Sequence, residues 1–150
     1  MGYWGEDGWV CQSENGDCLC TARAEVSGLN SNVASFQIDK AAYEATKTSF
    51  ELQISVNEDN REATLTSLAE QLAAGSITYP EYSQAVMVAN MTCSSANYSC
   101  LIAINNCDQS IYFVSCQINI LNLKISILQE HIEENIGSPW HTCPVCATEE

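Results

Sequence analysis

The 150-residue sequence predicts an all-α fold, an elongated helical hairpin or bundle with irregular, cysteine-bearing arms at both ends, and three observations carry that expectation. Apolar residues recur at alternating intervals of three and four along residues 104–132. A glycine stop and a capping signal separate two helical stretches near residue 75. Both ends of the chain are rich in Gly, Asn, Ser, Asp or Cys and show no sustained periodicity. The length suits one domain, residues 1–150.

Residues 1–32 hold Cys11, Cys18 and Cys20 among Gly, Asn, Ser and Asp, and are expected to form an irregular arm. From Val33 the pattern becomes helical. Phe36, Tyr43, Phe50 and Ile54 fall seven or four apart, which places them on one face. Asn57-Glu58-Asp59-Asn60 interrupts the apolar pattern as a kink or short loop, and Leu65, Leu68 and Leu72 resume it up to Gly75, a natural residue to follow a helix C-terminus. The first helical segment or segments therefore occupy residues 33–74.

Thr78-Tyr79-Pro80-Glu81 combines an N-cap threonine, a proline in the first turn and a glutamate three residues after the threonine, so residues 75–77 turn a hairpin into a second helix over 78–136. Along it Ile104, Ile111, Ile118, Ile125 and Ile132 alternate with Cys107, Val114, Leu121 and Leu128. In heptad terms isoleucine takes a and Cys, Val or Leu takes d, the pattern of a coiled-coil seam. The register extends upstream through Val86, Asn90, Cys93, Asn97 and Cys100. Asparagine at a specifies register at a cost in stability. Asn90-Met91-Thr92 and Asn97-Tyr98-Ser99 also read as glycosylation sequons, but a glycan on the seam would prevent packing, so they are taken as chance matches. Unbroken from Pro80 to Asn135, this helix would be roughly 85 Å long at about 1.5 Å per residue. A compact chain of this size has a radius of gyration near only about 15 Å, so the helix either makes the molecule elongated or is kinked. Gly137 and Pro139 end the pattern, leaving 137–150 as a second irregular arm.

Charge narrows the function. The net charge of −14 rests on 19 acidic residues against Arg23, Lys40, Lys47, Arg61 and Lys124, which argues against binding nucleic acid or an anionic membrane surface. Residues 111–128 are long enough to span a bilayer, yet Gln117, Asn119, Asn122 and Lys124 are spread around the helix, so the segment is expected to face protein and not to span a membrane. From Tyr82 to Gln129 the only charged residues are Asp108 and Lys124, while Leu101, Ile102, Tyr112, Phe113, Ile120, Leu123 and Ile127 lie off the seam. A helix apolar on more than one face needs more than one neighbour. The N-terminus has no secretory leader, so the expected location is cytoplasmic, virion-associated or reached by a leaderless route.

The nine cysteines fall in three groups, with Cys93, Cys100, Cys107 and Cys116 on the long helix. The first three are seven apart, about 10.5 Å along a helix, too far to bridge among themselves, and are expected as buried thiols. The arms offer two alternatives. Cys18, Cys20, His141, Cys143 and Cys146 could supply a structural zinc site, and Cys11, Cys18, Cys20, Cys143 and Cys146 are the candidates for disulfides. Neither His131 nor His141 stands with a nucleophile and an orienting acid at recognisable spacing, and no phosphate loop or acidic metal loop is present, so no catalytic residue is expected. The expected function is that of a structural or assembly subunit, self-associating through helix packing into a homo-oligomer or filament, with its arms cross-linked through cysteine. The alternative is a monomeric adaptor, capped by zinc or disulfides, that binds one protein partner.

Overall fold

The computed structural model describes residues 2–6, 8–11 and 18–134, with backbone alone at residues 11, 18 and 19. Two short strands, β1 (Gly2–Gly5) and β2 (Gly8–Cys11), precede two 56-residue helices, α1 (Cys18–Ala73) and α2 (Tyr79–Glu134), which pack as a helical hairpin. Residues 137–150 lie outside the described residues. The chain divides into two compact units, residues 1–40 with 113–150 and residues 41–112.

In the first unit, the described residues between 2 and 32 depart from the irregular arm expected of them. Helix α1 begins at Cys18, and β1 pairs antiparallel with β2 so that Tyr3 faces Val10 and Trp4 faces Trp9. The alternation of the pleat explains it: Tyr3 and Val10 are exposed, whereas Trp9 is only 5% exposed. Trp9 joins Ala22, Leu29, Val33, Ile125 and Leu128 in one core, with Trp4, Ile118, Leu121 and Ile132 packed against it. Trp4 fastens the strands to both helices. Its Nε1 donates to Glu25 Oε1 at 3.3 Å, and Lys124 Nζ lies 5.2 Å from the ring centroid, within cation–π range. A Cβ on Gly2 would run into the Trp9 indole, which is why that strand position is a glycine.

In the second unit α1 runs through Asn57-Glu58-Asp59-Asn60 without the expected interruption. Intrinsic preference against helix is under about 0.7 kcal/mol per ordinary residue and yields to packing; the Asn57 amide, moreover, bonds to Asn97 of α2 instead of competing for its own backbone. The α1 terminus has a Schellman geometry. Gly75, at φ +72°, donates to Leu72 O at 3.1 Å, and Ser76 donates to Gln71 O at 2.9 Å. Three residues on, Thr78 N donates to Glu81 Oε2 at 2.8 Å while Glu81 N donates to Thr78 Oγ1 at 3.4 Å, a reciprocal capping box.

The backbone hydrogen bond from Thr78, supported by its hydroxyl, holds the Glu81 carboxyl below its ordinary value of 4.5. A depressed folded-state pKa contributes stability above the unfolded value that is lost as pH falls through the folded one. Thermal melts of the parent chain and Glu81→Gln should therefore differ at neutral pH and converge as the medium is acidified through and below 4.5. A gap independent of pH would show that the ionised carboxylate contributes nothing.

Candidate functional site

The seam residues are all covered to some degree. Cys107, Val114, Ile125 and Leu128 are buried; Ile104, Ile111, Ile118, Leu121 and Ile132 are half-buried. In the 41–112 unit the deepest positions of α2 are Cys93, Cys100 and Cys107, free thiols seven apart that serve as small apolar fillers. Around Cys93 a polar layer crosses between the helices. Gln53 Nε2 donates to Asn57 Oδ1 at 3.0 Å, Asn57 Nδ2 to Asn97 Oδ1 at 3.1 Å, and Asn97 Nδ2 lies 3.6 Å from Cys93 Sγ, which itself reaches Asn57 O at 3.5 Å. Two of these contacts, Asn57 to Asn97 and Cys93 Sγ to Asn57 O, cross between the helices and tie α2 to α1 at this level.

The two asparagines expected at a positions thus differ. Asn97 is half-buried and engaged, but Asn90 is exposed, so the packing argument against its sequon does not hold. The half-buried positions nearest Asn90 are Val86 and Ala89, before the buried Cys93.

Of the residues proposed for zinc or disulfides, His141, Cys143 and Cys146 lie outside the described residues, as do the side chains of Cys11 and Cys18. Cys20 is half-buried in the first turns of α1 and is bonded through its sulfur. Among the described residues no group of three or more His, Cys, Asp and Glu could hold a metal ion. The five cysteine side chains described therefore comprise one bonded sulfur and four free thiols.

The other face of α2 is the largest departure from a two-helix economy. In the 41–112 unit Met87, Met91, Tyr98, Leu101, Ile102 and Tyr112 are exposed; in the other unit so are Phe113, Ile120 and Leu123. At 100° per residue Met87, Met91, Tyr98, Leu101 and Tyr112 share one side of the helix, about half a turn from Cys93, Cys100 and Cys107. Phe113, Ile120 and Leu123 continue the spacing, and Cys116, a half-buried free thiol, lies four residues from both Tyr112 and Ile120. Sequence reading picked out the members from Leu101 onward but missed Met87, Met91 and Tyr98, whose three-and-four spacing was the available signal.

The one acidic residue in the middle of α2, Asp108, is paired. Lys47 Nζ meets Asp108 Oδ1 at 2.7 Å, and that hydrogen bond raises the lysine pKa. Both partners are solvated enough that the pair adds little stability, yet it leaves Asp108 in the middle of α2 with a counter-charge. By length and composition α2 contains an 18-residue window apolar enough to cross a membrane, of which 17% is buried.

These features define a class: a long helical hairpin whose second helix is apolar on two opposite faces, one packed on α1 and the other open. No family model, curated protein or solved structure matches the chain.

Proposed function

We propose that this chain is a structural subunit that assembles with copies of itself through the outer face of α2. The exposed apolar row on that face carries the reading, because rows of this kind on soluble proteins mark interaction surfaces. Charge favours a second copy as the occupant. Two chains of net charge −14 repel over most of their surface, and the face that brings the least charge to a contact is the stretch from Tyr82 to Gln129, where Asp108 is already paired with Lys47. An isologous contact of two such faces sets methionine, tyrosine and leucine against their own kind, and the seven-residue spacing along α2 suits coiled-coil packing.

Light scattering on the isolated chain, without detergent, tests this. A mass at a multiple of 16.4 kDa is expected at tens of micromolar. Mild oxidation should then give a cross-linked species that Cys116→Ser removes, since Cys116 lies within the proposed contact. A monodisperse 16.4 kDa particle would instead favour an adaptor that docks one different partner, and recovery only with detergent or lipid would favour a bilayer as the cover.

A further inference from the structure

We propose that the cleft beside Arg61, within the 41–112 unit, binds a small aliphatic carboxylate. The cleft has a physical origin. Covered positions on α1 alternate at three and four as far as Arg61, but Asn57, Arg61 and Leu65 then follow at two successive fours, while Ala89, Cys93 and Ala96 of α2 keep strict alternation. An extra residue in one helix's spacing locally unwinds its path relative to the other. The facing α2 residues are too small to fill the gap, and a hollow of about 310 Å³ remains between Asn60, Arg61 and Thr64 on one side and Ala89, Thr92, Cys93 and Ala96 on the other.

Arg61 makes this more than a packing fault. Its Nε is buried and has no hydrogen-bond partner, and no carboxylate of the described residues pairs with its guanidinium, although Glu58 and Glu62 are close in sequence. A shielded guanidinium N–H without an acceptor is unfavourable, and the acceptor that best fits the guanidinium fork is a carboxylate taken by two parallel N–H donors. Arg61 lines the cleft, and rotation of its side chain is what would bring Nε and a terminal nitrogen together to a ligand there. The wall opposite, Ala89, Cys93 and Ala96, is apolar and suits a short hydrocarbon body, with the Thr92 hydroxyl at its edge. The volume falls near the lower end of the range of about 300–1,000 Å³ for small-molecule sites, which selects a short ligand. The site is independent of the outer face of α2 and of any assembly made there.

Butyrate, with neutral butyramide as its isostere, is a suitable probe, read by saturation transfer from the full chain to the small molecule at one protein concentration, so that the oligomeric state is the same for both ligands. Saturable binding of butyrate at about millimolar concentration is expected, as befits so few atoms, with at least tenfold weaker binding of butyramide. Arg61→Gln should weaken butyrate at least tenfold, and Ala89→Leu, which fills the cleft but leaves the arginine, should do the same. Unchanged far-UV circular dichroism would confirm that both variants keep the hairpin. Equal signals from butyrate and butyramide, no signal from either, or butyrate binding that survives both substitutions would overturn the assignment.

Discussion

Leu128→Ala is expected to lower the unfolding free energy by about 3 kcal/mol, within the range of roughly 2–5 kcal/mol for a buried leucine replaced by alanine. Leu128 is 0% exposed and stands in the core with Trp9, Ala22, Leu29, Val33 and Ile125. Truncation removes the transfer energy of the side chain and leaves a cavity that two helices and a strand pair, each holding the others, are poorly placed to close. With a urea dependence of about 2 kcal/mol per molar, the midpoint should fall by about 1.5 M. Leu123→Ala is the control: five residues earlier on the same helix but 63% exposed, it should leave the midpoint of unassembled chains almost unchanged. Equal losses from the two would mean that Leu128 is not the keystone of this core. Protein concentration must be held constant, because assembly shifts apparent stability by mass action.

A second large effect is expected from Leu101→Glu combined with Leu123→Glu. The residues are 54% and 63% exposed in the single chain, so both carboxylates remain hydrated there and the hairpin should keep its helicity. In a contact between two copies the same substitutions put four like charges into an apolar interface, and like-charge juxtaposition costs several kcal/mol. Assembly should weaken by at least about a hundredfold, the equivalent of roughly 2.7 kcal/mol, and appear in light scattering as a shift from oligomer to single chain. Leu52→Glu on α1, also 63% exposed but outside the α2 row, should leave assembly intact. If the double variant assembles as the parent does, the outer face of α2 is not where copies meet.

Much of this fold was written in local pattern. The stop at Gly75, the capping box of Thr78 and Glu81 and the row from Ile104 to Ile132 each depend on residues within a few positions of one another, where helix geometry converts spacing directly into place. The apolar character of α2 beyond its seam was legible for the same reason: so few charged residues between Tyr82 and Gln129 leave any helical face there largely uncharged.

What local pattern misjudged depended on partners distant in the chain. Asn57 reads as a helix breaker, yet its amide is taken up by Asn97, 40 positions away, and α1 continues through it. Trp4 and Trp9 sit among glycines in what reads as a structureless arm, and they become strand residues because Glu25, Lys124 and the core around Leu128 give the two rings somewhere to go. The cleft at Arg61 belongs to neither helix alone; it comes from two spacings, each regular enough on its own, that fall out of step when packed together. The sequence by itself therefore determined the turn between the two helices, from the stop at Gly75 to the cap at Thr78, and the apolar character of α2 on more than one face, since those properties follow from neighbours three and four residues apart; the start of α1 at Cys18 and its passage through residues 57–60 it did not. Only the tertiary structure decided which asparagine is buried, how the N-terminal tryptophans are held and which apolar face remains open, because each depends on contacts between residues far apart in the chain.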